Sequence, residues 1–186
     1  MTTARWRAGT VTALLAVLWV GVGQATEVTV PLQPDDTQLG LTVYVMGLFA
    51  QPGLFHRFAG ALTVDPAAAA GRCRVELRIE MASLQMDDPA RTRAALGPEL
   101  LDAAHYPDQV FSGACAGRQI AGALTLHGNT HNLTLTMRRS GETLIATGNL
   151  HRDDFGIRGM PGLIGGRVDM RVTIALPPGV AARLVP

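Results

Sequence analysis

Lysine is absent from this 186-residue chain, and cysteine is limited to two residues. All 16 basic residues are therefore arginines, set against 15 acidic residues for a formal net charge of +1. The arginines do not gather into a phosphate-binding patch. Arg72, Arg74 and Arg78 alternate with Glu76 and Glu80, which is the pattern of a solvated strand face. Nothing in this balance favours a nucleic-acid partner.

Catalytic signatures are missing as well. There is no G-x-S-x-G elbow, no phosphate loop, no C-x-x-C pair, and no Cys-His pair with an evident orienting partner. The adjacent acids Asp87-Asp88 and Asp153-Asp154 suit caps or solvated loops better than a catalytic dyad. His127, His131, His151 and Asp154 invite a metal reading, yet they match no ligand motif. His127 and His131 flank a turn, where a histidine bonded to backbone is the simpler account. His56 and His105 have no supporting cluster. The expectation is a protein that is not an enzyme and has neither a metal site nor a cofactor of its own. Long amphipathic helices, coiled-coil heptads and low-complexity linkers are also lacking.

The N-terminus has a different character from the rest. Arg5 and Arg7 precede an almost wholly apolar run from Val11 to Val22, and Gly23-Gln24-Ala25 has the form of a cleavage site. These features predict a secretory signal peptide over residues 1–25. The run is short for a membrane span, which needs about 20 residues. Cleavage leaves residues 26–186 as a single domain, long enough for a real interior. The remaining residues are expected to be exported. Cys73 and Cys115 both fall in the exported part, where a disulfide is chemically allowed. Two buried thiols packing as small hydrophobes remain the alternative.

What the chain does have is alternation. Leu124 and Leu126, then Leu133, Leu135 and Met137, then Leu144, Ala146, Gly148 and Leu150 each recur with period two. Short turns at His127–Thr130 and Arg139–Gly141 separate them. That is a meander of antiparallel strands with one apolar face. Leu39 to Val45, Phe55 to Val64, Cys73 to Leu84, Gln109 to Ala116 and Arg167 to Leu176 extend it. Gly47–Gly53 is apolar but irregular, and suits the cap of one end of a barrel, its mouth, or a satellite core cluster. Between strands, Asp88 and Pro89 predict a capped helix stopped by Gly97-Pro98, within a helical insertion around residues 89–103.

Eight strands in an open sheet would leave two edges and a wide apolar face. The expected fold class is therefore all-β, an extended eight-stranded antiparallel barrel. Small inward-phase residues, among them Gly60 or its neighbour Ala59, Gly113, Gly122, Ala146 and Gly148, would leave room for a tunnel or let the barrel flatten. The inward-phase residues Val43, Val45, Phe58, Leu77, Ile79, Phe111, Leu135, Met137 and Phe155 are the candidate ligand contacts. Ordinary core packing would use the same positions.

Several segments, taken in order, resemble the YceI-like family of bacterial periplasmic proteins. They are HRFAGALTVDP at 56–66, ASL at 82–84, LLDAAHYPDQVFSG at 100–113, GALTLHGNTHNLTL at 122–135 and HRDDFGIRG at 151–159. The resemblance covers nearly the whole exported part. It implies a lipocalin-like barrel whose tunnel binds a long isoprenoid chain, such as the tail of a quinone or polyprenyl lipid. The leading expectation is thus a periplasmic lipid carrier. The alternative is a ligand-free structural or interaction barrel assisting an envelope complex, with an exposed apolar patch at 47–55 or 159–164. Transient membrane or envelope-protein contact and a homodimer stay open as partnerships.

Overall fold

The computed structural model describes residues 27–65 and 71–185. The expected signal segment, its cleavage after Ala25 and the alanine connector at 67–70 lie outside the described residues. Eleven strands follow one another: β1 (Val28–Leu32), β2 (Thr37–Val45), β3 (Phe49–Phe55), β4 (Phe58–Val64), β5 (Cys73–Glu80), β6 (Leu84–Met86), β7 (Asp108–Ala116), β8 (Gln119–Leu126), β9 (Asn129–Ser140), β10 (Thr143–His151) and β11 (Ile164–Ala175). Two short helices, α1 (Pro89–Leu96) and α2 (Val180–Leu184), complete the list of regular elements, with single 3₁₀ turns at Met81–Ser83 and Arg152–Phe155.

All strands join one sheet, in the order β1-β4-β5-β7-β8-β9-β10-β11-β2-β3-β6. Neighbours pair antiparallel throughout. The expected closed barrel of eight strands is corrected on both counts. The sheet has eleven strands, and its order is open, with β1 and β6 at the two ends. It is a curled, lipocalin-like sheet rather than a ring of eight unbroken strands. The chain itself draws the ends of the curl together: β3, near one end, continues into β4, near the other, through His56 and Arg57 alone.

The extra strands have local causes. The run Cys73 to Leu84 alternates without a break in sequence, yet the 3₁₀ turn at Met81–Ser83 splits it into β5 and β6. Ser83 holds that turn against the β3–β4 break. Its hydroxyl donates to the carbonyls of Glu80 at 2.7 Å and Arg57 at 3.2 Å. The Glu80 amide donates to the Arg57 carbonyl, and the His56 amide to the Ser83 carbonyl. Arg57 also grips the Glu80 carboxylate with two bonds of 2.6 and 2.7 Å. The segment around Pro52 reads as irregular because proline removes a ladder donor. In the structure it is a strand all the same. β6 starts to pair with β3 only at Gly53, so Pro52 has a strand neighbour on the β2 side alone.

The helical insertion forms as expected. The Asp88 carboxylate accepts from the Ala90 amide at 2.7 Å, Pro89 opens α1, and Gly97 closes it. The C-terminal tail holds a helix that alternation could not reveal. α2 buries Val180, Ala181 and Leu184, and its Arg183 carbonyl accepts from the Gly71 amide. It plugs the end of the curl that carries the β9–β10 turn. Toward this end the interior is filled. Leu62, Met137, Leu144 and Leu184 are essentially inaccessible to solvent. Each such side chain stabilises the fold by about 1.5–3 kcal/mol.

The inward glycines serve this filling rather than opening a tunnel. A Cβ on Gly122 would stand 2.3 Å from the Ser112 carbonyl oxygen and 2.9 Å from the Phe111 ring. One on Gly60 would stand 2.2 Å from the Glu76 carbonyl oxygen. These glycines let strands and a ring close in.

Cys73 and Cys115 face each other across β5 and β7, one step beyond the Arg74–Ala114 pair. The structure joins them, with Cα atoms 4.7 Å apart and a separation of 42 positions in sequence. We expect the protein isolated without reductant to weigh about 2 Da less than its free-thiol form. Closing a loop of this length contributes about 4 kcal/mol in the chain-entropy account. Reduction should therefore lower the unfolding free energy by about 2–4 kcal/mol in a urea titration. Ser83→Ala should lower it by about 1–2 kcal/mol, because two part-buried carbonyls lose a donor.

Candidate functional site

The other end of the interior is hollow. A cavity of about 320 Å³ lies between the inner faces of β2, β3 and β11 on one side and α1, residues 100–101 and the β10–β11 connection on the other. This falls in the size range of small-molecule sites. Its walls are mainly aliphatic: Leu41, Val43 and Val45 from β2, Val168, Met170 and Val172 from β11, Met81, Leu84 and Met86 from the split strand. The inner residues of β2 and β11 near the mouth are only half-buried, although they face inward. No side chain from the opposite wall fills the space in front of them.

Two segments roof the cavity. One is α1 with the turn that follows it, contributing Ala94, Ala95, Leu100 and Leu101. The other is the connection from Arg152 to Leu163. They meet at Gly159, where a Cβ would stand 1.8 Å from the Glu99 carbonyl oxygen. Only glycine permits that approach. The connection is tied to the β2–β3 turn by the Met46 amide, which donates to the Leu163 carbonyl at 2.7 Å. Around the mouth, Met46, Leu48, Phe49 and Leu163 are all exposed, Leu48 by 80%.

Arg152 builds the connection. Its side chain is buried, at 6% exposure, and donates to the carbonyls of Ile157, Gly159, Ile164 and Gly165 at 2.8–3.2 Å. It also lines the cavity. Gln51 and Gln109 are further polar lining residues.

Of the nine expected contacts, Val43, Val45 and Ile79 stand in the cavity wall. Phe58, Leu77, Phe111, Leu135, Met137 and Phe155 are buried in the core and do not line it. Phe111 lies over Gly113 and Gly122, and Phe155 meets the His131 ring edge-on at 5.1 Å. Among the described residues the turn histidines meet rings and bond no backbone through theirs: the His127 ring lies tilted by 41° against Tyr106, with centroids 4.1 Å apart. Among the described residues no group of three or more His, Cys, Asp or Glu is placed to hold a metal ion.

Sequence reading missed Arg152, Gln51, Gln109 and Met170. A signal for the glutamines was present. Gln109 shares the inward phase of Phe111, Gly113 and Cys115, and Gln51 that of Gly53 and Phe55. A polar residue in an apolar phase marks a place where the interior is not simply core.

With this geometry in hand, the comparisons define the class. The chain matches the YceI-like domain over residues 31–176, and it belongs to that family. It is similar to a UPF0312 protein of Pseudomonas syringae pv. tomato, with 24% identity covering 85% of this chain and 90% of that one. The fold is also that of Burkholderia cenocepacia BcnA, with a TM-score of 0.62, 20% identity, and coverage of 74% of this chain and 94% of that one. A polyisoprenoid binding domain from Saccharophagus degradans, implicated in plant cell wall breakdown, superposes with a TM-score of 0.56 at 15% identity. There the coverage is 80% of this chain and 98% of that one.

On the outer face behind the cavity, the Tyr44 hydroxyl and Arg167 both donate to the Asp169 carboxylate, at 2.8 and 2.7 Å. Burial pushes the Asp169 carboxyl up, but the bonds from Arg167 and Tyr44 outweigh it and hold it below the ordinary value of 3.8. The stabilisation from such a depressed acid is complete above the unfolded value. It is lost as pH falls through the folded one. Acid titration should therefore show stability declining from about pH 4 downward, and Asp169→Asn should remove part of that decline while leaving pH 6–8 behaviour flat.

Proposed function

We propose that this protein is an exported, periplasmic carrier of a long-chain isoprenoid lipid, of quinone or polyprenyl type, held in the apolar cavity. The observation that carries this reading is the division of the interior. One half is packed to near-zero exposure, while the other keeps aliphatic walls that no side chain covers. Natural cores fill such space to crystal-like density unless it has a use. A long apolar chain supplies the missing contacts, at about 25 cal/mol per Å² of apolar area removed from water. The similarity to a polyisoprenoid binding domain supports the same ligand class.

A second reading is favoured by the exposed rim. Met46, Leu48, Phe49 and Leu163 would suit an interaction barrel that contacts an envelope protein or membrane. The two readings part at the contents of the cavity. Mass spectrometry of organic extracts, from protein purified gently out of its native compartment, should find a stoichiometric polyprenyl or quinone species. Reproducible absence of lipid would overturn the carrier and leave the interaction barrel.

Two variants sharpen the test. Val43→Trp places a large ring in the hollow and should reduce co-purified lipid by at least about tenfold, with no loss of thermal stability, since it invades space rather than packed core. Met137→Ala empties part of the filled half. It should cost about 2–5 kcal/mol of stability and leave the lipid content of the folded protein unchanged. Equal lipid loss in both would mean that the ligand occupies the filled half after all.

A further inference from the structure

Two turns meet beside the cavity mouth, and neither carries a polar side chain. Residues 45–50 and 159–166 consist only of Val, Met, Gly, Leu, Phe, Ala, Pro and Ile. The first turn joins β2 to β3. Met46 and Gly47 both have positive φ, 51° and 71°, and the Leu48 amide donates to the Val45 carbonyl at 3.1 Å. This is the form of a primed hairpin turn, whose first central position favours Asn, Asp or Gly. The β8–β9 turn has the same pair of positive φ values with a polar residue, His127, in that place. The second turn runs from Met160 to Leu163. Pro161 and a positive-φ Gly162 form its centre, and the Leu163 amide donates to the Met160 carbonyl at 3.2 Å. Met160 itself has a φ of 52°. Left-handed backbone is unfavourable for a long side chain, and glycine would relieve it at both methionines. Such strain at Met46 and Met160 points to a use for their side chains.

The tips project. A Cβ on Gly47 or Gly162 would meet nothing within 4 Å, and Met46, Leu48, Phe49 and Leu163 stand exposed beside them. Yet much of the turn backbone is bonded within the protein. The Met46 amide donates to the Leu163 carbonyl, the Ile164 amide to the Met160 carbonyl, and the Arg152 guanidinium to the Ile164 carbonyl. Backbone satisfied in this way can leave water at little cost, which a bilayer demands of whatever enters it. A protein partner fits less well. Protein interfaces carry about one hydrogen bond per 100–200 Å², and these turns offer no side-chain donor or acceptor. Four side chains on two tight turns also fall short of the roughly 800 Å² that each half of a stable dimer contributes. Polar groups resume one step down the same strands, where Tyr44 and Arg167 both bond Asp169. Exposed charges of both signs, Asp153, Asp154 and Arg158, flank the second turn, so no field of one sign surrounds the tips.

We propose that the two turns form a membrane-docking tip, in which Met46, Leu48, Phe49 and Leu163 enter the boundary between head groups and acyl chains of a phospholipid bilayer without net charge. Binding of this kind scales with the apolar area buried at that boundary. Val45, Met160 and Leu163 also line the cavity. Docking therefore sets the mouth against the bilayer, and a guest can move between the two without crossing water. The docking follows from the turns themselves, and its use in loading rests on the lipid-carrier reading.

The test uses the chain from residue 26 onward, which holds no tryptophan, since the two in the sequence are Trp6 and Trp19. Phe49→Trp puts a sole indole at the tip. Arg118→Trp puts one in the β7–β8 turn at the far end. On adding phosphatidylcholine vesicles, the emission of the first should shift to the blue and that of the second should stay. Unsubstituted protein should float with the vesicles. Leu48→Asp/Leu163→Asp should lower the bound fraction at least about tenfold, because each carboxylate resists leaving water. Both positions are exposed, so its melting temperature should hold. Flotation should persist in about 1 M salt, where charges are screened beyond about 3 Å. Flotation that salt abolishes and the aspartates leave intact overturns the proposal in favour of charge-driven binding elsewhere. Absence of flotation overturns it too, and a dimer that the aspartates dissolve would then assign the tips to a second copy. Lipid extraction separates this proposal from the carrier reading. Lipid-loaded protein that ignores vesicles loses the docking and keeps the carrier, whereas an empty cavity in protein that docks does the reverse.

Discussion

The hollow end of the molecule depends on one buried guanidinium. After β10 the chain leaves the sheet and crosses a glycine-rich stretch before β11 begins at Ile164. Backbone carbonyls in such a stretch have no ladder partners, and buried carbonyls need donors. Arg152 provides four hydrogen bonds from one side chain, reaching Ile157, Gly159, Ile164 and Gly165. An aliphatic residue there would leave those carbonyls unpaired. With the guanidinium, the connection can stand over the sheet as a roof and need not collapse into the interior. The contact of Gly159 with the Glu99 carbonyl then locks this roof to the α1 segment. The cavity exists because its ceiling is supported from within.

The opposite end shows what the same sheet does when nothing is held open. There α2 closes the curl, the disulfide partners sit near its base, and inward glycines admit neighbouring strands and the Phe111 ring. Small residues in a strand do not by themselves create space. What decides the outcome is whether a backbone or ring moves in. At Gly60, Gly113, Gly122 and Gly148 something does, at distances a Cβ could not tolerate. Space persists instead in front of Val43, Val45, Val168 and Met170, ordinary side chains whose opposite wall is a propped loop.

This contrast explains what the sequence made legible. Alternation identified the strands from β7 to β11, the inward face, and the capped helix at Asp88-Pro89, because those follow from period and local capping. It could not show that Met81–Ser83 turns out of the ladder, since Met81 continues the apolar phase and only the Ser83 hydroxyl marks the break. Nor could it locate the hollow along the barrel axis. Inward phase is shared by Met137, wholly buried, and Val43, half open, and nothing in two isolated residues separates them. Their difference comes from Arg152 and Gly159, far away in sequence. The inward glutamines were visible as exceptions to phase, yet an exception acquires meaning only once its neighbours are known.

The apolar rim follows from the same support. Residues 37–56 contain no charged side chain, and neither do 159–166. These two stretches meet at the mouth, where the Met46 amide binds the Leu163 carbonyl. Charged groups there would be hydrated, and a hydrated rim would place water between the surroundings and the cavity wall. Uncharged loops ending in Leu48, Phe49 and Leu163 extend the apolar wall outward instead. For the lipid chain of the proposed carrier, passing this rim would exchange one apolar contact for the next. Exposed leucine and phenylalanine are unfavourable on an isolated surface, and their concentration beside the cavity mouth marks that end as the entrance the carrier proposal requires.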